Sequence, residues 1–236
     1  MTNTTDNCYN RNMIVLNGVT KKYGKNKVLD DISFKVQGGE FVSLVGEAGA
    51  GKTTLIHALI GAIEIDKGEI TVDDYKVDSL DYNKIQAYRK RIGIVFQDYK
   101  LLPKKTVFEN VAFALEVAGY ENDFIKERTV SVLKLAGLEN LRNNFPRQLS
   151  GGEQQKTAIA RALVHAPELL FADEPTGNLD HENTDSLARL FQKINEGGTT
   201  VILATHNRSV VDQLKKRVIR LEKGRIVSDK ENSGYN

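Results

Sequence analysis

Gly46, Gly51, Lys52 and Thr53 fall in the spacing G-x-x-x-x-G-K-[ST], a pattern whose chemistry is the holding of phosphate. That chemistry is local. The backbone N–H groups of the loop Gly46, Glu47, Ala48, Gly49, Ala50 and Gly51, with the open first turn of a helix beginning Lys52-Thr53-Thr54, are donors for a triphosphate. Lys52 is placed to reach the β- and γ-phosphate oxygens, and the Thr53 hydroxyl to complete the shell of Mg²⁺.

A loop of this kind needs a carboxylate at the end of a neighbouring parallel strand, and Asp173 closes the apolar run 168–172 that can bring one there. The next residue, Glu174, then faces the space beyond the γ-phosphate, where a carboxylate can orient and polarise an attacking water. Gln97 and His206 each end or follow a short β-rich run, so both are expected in the crevice where strand ends converge. An amide there can hold a metal-bound or attacking water, and an imidazole can donate to a phosphate oxygen. A second anion-binding terminus follows from Leu149-Ser150-Gly151-Gly152-Glu153, a serine and two glycines opening a helix. Two such grips bind two groups of one ligand or belong to different active sites. Tyr23, beside Gly24 and upstream of the loop, can stack on a base or sit as a strand-end surface aromatic.

The elements that must position these residues alternate. Strands are expected at 13–20 and 28–36, at 41–45 leading into the loop, and at 68–72, 92–96, 168–172, 199–204, 217–221 and 225–227. Helices are expected at 52–63, 80–89, 152–165, 184–194 and 210–214, and the stretch 107–135 has helical spacing broken at Gly119. Alternation around a phosphate loop means an α/β fold, with a mainly parallel sheet and helices on both faces. The run of helix is too long for one crossover, so 98–150 is read as a helical lobe inserted within a domain spanning 13–227. Residues 1–12 and 228–236 read as polar tails, the first carrying the single cysteine, Cys8, as an unpaired surface thiol.

Composition narrows the partners. In 236 residues, 33 basic side chains nearly balance 31 acidic ones, so no field of the whole protein calls for nucleic acid. No apolar run approaches 18 residues and the N-terminus lacks a hydrophobic signal segment, so the expected location is cytoplasmic, with membrane association only through a partner.

Taken together, the motifs closely resemble those of the ATP-binding cassette ATPases, in order and spacing from about residue 13 to 227. Tyr23 falls where that family stacks adenine, Gly46–Thr53 on its Walker A loop, and Gln97 on its Q-loop. Leu149–Glu153 matches its signature, 169–174 its Walker B strand with a catalytic glutamate, Gly177-Asn178-Leu179-Asp180 its D-loop, and His206 its switch histidine. The resemblance implies ATP and Mg²⁺ as ligands, with Thr53, Gln97 and Asp173 at the metal and Glu174, His206 and Gln97 in catalysis. It implies an N-terminal antiparallel β part beside the parallel core. It also implies a homodimer closed head to tail around ATP, in which Ser150–Glu153 of one copy faces the nucleotide of the other, with Asp180 of the D-loop among the nucleotide-binding residues. Within the family, the segments 95–117, 207–212 and 217–222 are most similar to the branch serving bacterial cell division. That branch works at the cytoplasmic face of the membrane with an integral membrane partner linked to peptidoglycan hydrolases and the division ring. Lipoprotein-releasing and macrolide-exporting cassettes share the D-loop form and are the alternative. Ala48, Thr53 and Lys156 depart from the residues usual in relatives, and none removes a required donor or carboxylate.

Overall fold

A computed structural model describes residues 11–177 and 179–235. The reading of Cys8 and of most of the N-terminal tail lies outside these residues, as does Asn178. The chain opens with β1 (Asn12–Tyr23) and β2 (Asn26–Gln37), turns at Gly38-Gly39 into β3 (Phe41–Val45), and after the phosphate loop enters α1 (Lys52–Leu59). β4 (Lys67–Val72), β5 (Tyr75–Lys76), α2 (Tyr82–Arg89) and β6 (Ile92–Val95) follow. Three helices, α3 (Val107–Val117), α4 (Asn122–Ala136) and α5 (Gly151–Leu163), separate β6 from β7 (Leu169–Asp173). The chain then alternates through α6 (His181–Glu196), β8 (Thr200–Thr205), α7 (Arg208–Leu214), β9 (Arg217–Glu222) and β10 (Arg225–Lys230).

The first sheet is antiparallel, in the order β2-β1-β4-β5. The second has the order β10-β9-β3-β8-β7-β6; the five strands from β9 to β6 run parallel and only β10 runs against them. β3, β7 and β8 are buried along their whole length, which is why each reads as an unbroken apolar or small-residue run and not as an alternation. Their side chains still divide by period two. Val42, Leu44, Phe171, Ile202 and Ile219 pack with α1, α2 and the antiparallel sheet, whereas Phe41, Leu170, Ala172, Val201 and Leu203 pack with α3 to α7. An α/β core with an antiparallel N-terminal part is thus the observed architecture. α3, α4 and α5 pack on one another, so the helical packing continues past residue 150 into α5. Among the described residues no helix is long and apolar enough to cross a membrane.

Several boundaries differ from expectation. α1 stops at Leu59, not 63, because Gly61 at φ +63° closes the helix, beside Ile85 of α2. Arg11 and Asn12 belong to the fold and not to a tail. Asn12 opens β1 opposite Gln37, and the Arg11 guanidinium pairs with Asp73 at 2.9 Å and with Glu168. The C-terminal tail is likewise corrected. β10 continues to Lys230 through its pairing with Val218, and Tyr235 is buried.

Candidate nucleotide site

Parallel strands deliver their C-terminal ends to one edge of a sheet, and that edge gathers Gly46 after β3, Glu174 after β7, His206 after β8 and Gln97 beyond β6. The loop leaving β3 lies tight against the neighbouring backbone. A Cβ on Gly46 would stand 2.3 Å from the Leu221 carbonyl oxygen. Gly51 adopts φ +109° with the Val28 carbonyl 2.8 Å from where a Cβ would be, so no larger residue fits at either end of the loop. Gly51 also caps α1 without a side chain, and the first turn holds no acidic residue. By contrast α3, α5, α6 and α7 are capped by Thr106, Ser150, Asp180 and Asn207. The first-turn N–H groups of α1 are therefore left for an external acceptor, which suits an anion.

Lys52 is buried, and its ammonium donates to the carbonyls of Gly46 at 2.7 Å and Glu47 at 3.2 Å. It also meets Glu174 Oε1 at 3.2 Å. The second carboxylate oxygen, Oε2, lies 2.8 Å from His206 Nδ1 and accepts from the His206 backbone N–H at 3.2 Å. Lys52, Glu174 and His206 thus form one contiguous chain of charge-assisted contacts. With Nδ1–H donating to the carboxylate, a neutral His206 ring keeps Nε2 as an acceptor, and it donates at Nε2 only as imidazolium. Glu174 itself sits at φ +47°, a left-handed conformation costly for a side chain by about 1 kcal/mol and held by its N–H bond to the Ala204 carbonyl.

One residue earlier, Asp173 ends β7 nearly buried, and burial raises its carboxyl above the usual range, against the smaller opposing effect of the Thr53 hydroxyl. Thr53 Oγ1 donates to Asp173 Oδ1 at 3.2 Å. A hydroxyl and a desolvated carboxylate, side by side next to the loop, are hard oxygen donors of the kind Mg²⁺ takes. Among the described residues there is no group of three or more His, Cys, Asp or Glu able to hold a metal alone. Mg²⁺ characteristically uses one or two protein oxygens and draws the rest from phosphate and water, so the pair fits.

The other sequence-chosen residues stand apart from this cluster. Gln97 is exposed, and its amide lies by the loop after Glu174, 3.2 Å from where a Cβ on Gly177 would be. Tyr23 is 53% exposed at the β1–β2 turn, with the Lys21 ammonium 5.3 Å from its ring centre. Ser150 caps α5, its hydroxyl accepting from the Glu153 N–H at 3.3 Å while the Glu153 carboxylate accepts from the Ser150 N–H at 2.8 Å. The neighbours of Gly151 and Gly152 are Tyr99, Leu179 and Asn183, not the phosphate loop. Asp180 caps α6 by accepting from the Asn183 N–H at 2.8 Å. Of the residues lining the route between these two groups, sequence reasoning missed Arg161. From α5 it donates to the carbonyls of Tyr99 at 2.9 Å and Lys100 at 2.7 Å. The available signal was a cation inside the apolar run Ile159-Ala-Arg-Ala-Leu163. A cavity of about 660 Å³, lined by Gly39, Arg128, Leu135, Lys193 and Thr200, lies at the opposite ends of the strands and takes no residue from the loop.

Four likenesses accompany this geometry. The family model described as ABC transporter matches residues 29–177. The chain is 46% identical over 224 residues to the cell division ATP-binding protein FtsE of Streptococcus pneumoniae, covering 94% of this chain and 97% of that protein. It is 41% identical to the methionine import ATP-binding protein MetN of Clostridioides difficile, over 91% of this chain and 67% of that one. Its fold superposes on the ATP-binding cassette MJ0796, a dimer in a post-hydrolysis state bound to ADP and Pi, with a TM-score of 0.84 and 34% identity over 94% of this chain and 100% of that one.

Proposed function

The chain belongs to the ABC transporter family of ATPases, and from that premise we propose that it is an FtsE-like nucleotide-binding subunit. Two copies close around ATP, and their closing and opening drive an FtsX-like integral membrane protein that regulates peptidoglycan hydrolysis during cell division. The protein sits at the cytoplasmic face of the membrane, held there by that partner. The cell-division reading is supported by identity running over nearly the whole of both chains. The observation that carries the chemistry is Glu174, bridged to Lys52 by one oxygen and to His206 by the other, immediately after Asp173.

In this reading the N–H groups of the loop and of the first turn of α1 bind the phosphates, and Lys52 exchanges its carbonyl contacts for phosphate oxygens. Thr53 and Asp173, with Gln97, hold Mg²⁺, which when bound neutralises charge on the phosphates. Glu174 accepts a hydrogen bond from the attacking water, and His206 holds that carboxylate in orientation. Tyr23, exposed at the β1–β2 turn, stacks on the base. Ser150–Glu153 and Asp180 face the nucleotide of the second copy.

The segment 98–150 is the unit that receives the membrane partner. Its docking surface is formed by Tyr99, Leu101, Leu102 and Phe108, all half-buried, so that their outer edges are accessible. Site-specific photocrosslinking from Tyr99 and Leu102 in native membranes tests the assignment. Capture of a four-span membrane protein with a large outer loop is the expected product. Capture of an importer or exporter permease instead overturns the cell-division reading while leaving the ATPase intact.

A further inference from the structure

The last described residues are not a free end. Tyr235 is buried in a small cluster with Val45, Val211 and Val218. Its backbone N–H donates to Asp212 Oδ1 at 2.8 Å, its carbonyl accepts from the Arg220 guanidinium, and the Ser233 N–H donates to the Lys216 carbonyl at 3.1 Å. The guanidiniums of Arg208 and Arg220 lie over its ring, 5.0 and 5.4 Å from the centre. Arg208 opens α7 and Asp212 is its fifth residue, so the C-terminal segment grips this helix at its start and again past its middle.

That helix needs the grip. α7 has seven residues, too few to be stable without packing, and its Asn207 cap bond is long at 3.4 Å. It begins two residues after His206, which reaches Glu174 through both its ring and its backbone N–H. Val45, in the same buried cluster as Tyr235, is the residue before Gly46. The cluster therefore joins β3, which leads into the phosphate loop, to α7, which follows His206 and the neighbouring strand β8.

We propose that Tyr235 and its acceptor Asp212 are positioning residues for ATP hydrolysis, the segment Ser233–Tyr235 strapping α7 to the sheet and so holding His206 against Glu174. The strap acts on hydrolysis more than on nucleotide binding, because its polar contacts fall on and after α7, which follows His206, and none falls on the phosphate loop. It rests on the reading of His206 as the residue that orients Glu174. The phenolic hydroxyl takes no part, since ring and backbone make all the contacts named.

The test uses the full chain and its variants Tyr235→Ala, Tyr235→Phe, Asp212→Ala, His206→Ala and the double variant Tyr235→Ala/His206→Ala. Steady-state kinetics with Mg-ATP is combined with amide hydrogen exchange over 206–214. Tyr235→Ala is expected to lower kcat about tenfold with KM within about twofold, and to speed exchange in α7 but not in α1. Tyr235→Phe keeps the wild-type kcat. On the His206→Ala background the same Tyr235 change costs nothing further, because the two act through one contact. Asp212→Ala, an exposed change that leaves the apolar cluster alone, is expected to lower kcat about threefold, and it decides the matter if Tyr235→Ala fails to fold. A slow His206→Ala beside wild-type kcat in Tyr235→Ala, or in Asp212→Ala where Tyr235→Ala fails to fold, overturns the strap alone. A wild-type rate in His206→Ala overturns the underlying assignment. Equal losses on both backgrounds reduce Tyr235 to general support of the fold and overturn the proposal as well.

Discussion

Glu174 makes two demands on its surroundings, a left-handed backbone and a carboxylate divided between a cation and an imidazole, and the amide isostere separates them. Glu174→Gln keeps the shape and removes the charge. It is expected to retain ATP while slowing steady-state hydrolysis about 10²-fold or more, and a wild-type rate in the purified variant would remove Glu174 from the chemistry. Asp173 has a different signature, because burial holds its carboxyl above the usual 3.8. The folded protein then binds that proton more tightly than the unfolded chain. Ionised Asp173 therefore costs stability at neutral pH, and the cost disappears as pH falls through the raised value towards about 4. Asp173→Asn is expected to raise the melting temperature in metal-free buffer at pH 7, with the gain shrinking as the buffer is made acidic. The same variant should hydrolyse Mg-ATP at least about 10²-fold more slowly. A variant that melts below the wild type at neutral pH contradicts the desolvation argument. Asp173 and Glu174 were legible in the sequence because an unbroken apolar run ended in two acids. The division of Glu174 between Lys52 and His206 was not, since it depends on three loops meeting in space.

At the scale of elements, Ser150 holds two offices, and a pair of substitutions separates them. As the cap of α5 in a reciprocal arrangement with Glu153, it is worth about 1 kcal/mol. Asparagine caps as well as serine, so Ser150→Asn should keep the melting temperature while Ser150→Ala lowers it. Under the shared-site reading both changes slow hydrolysis; if Ser150→Asn is as fast as wild type, the hydroxyl serves the helix only. The helix and strand pattern around these sites could be read from spacing, since α3 and α4 part at Gly119 and β7 and β8 are continuous apolar runs. The C-terminal segment could not. Its sequence is polar apart from Tyr235, and what fixes it are partners far away in the chain, Asp212, Arg220 and the carbonyl of Lys216. Local pattern carries no trace of such contacts, and the same holds for Arg11, which finds Asp73 and Glu168.

For the whole molecule, the neighbours of Gly151 and Gly152 at the start of α5 are not the phosphate loop, and only the shared-site reading brings that helix start to a nucleotide, the one held by a second copy. Under the shared-site reading, hydrolysis rises faster than linearly with protein concentration wherever the dimer is scarce. Mixing Lys52→Ala with Ser150→Arg then creates one composite site bearing neither lesion, and about a quarter of the wild-type rate is the ceiling if pairing is random and each intact site works alone. A mixed dimer that forms, as seen by crosslinking, yet hydrolyses no faster than either parent excludes this arrangement. Arg161 bears on how such a molecule can move. A single planar guanidinium joined to two successive carbonyls resists both sliding and twisting, so the backbone after Gln97 and the shaft of α5 are one mechanical part. The tip of that part, Gly151, lies against Tyr99 from the same stretch, which closes a triangle. Torque applied at Gln97 therefore reaches the start of α5 as rotation of a stiff lever, with little slack in between.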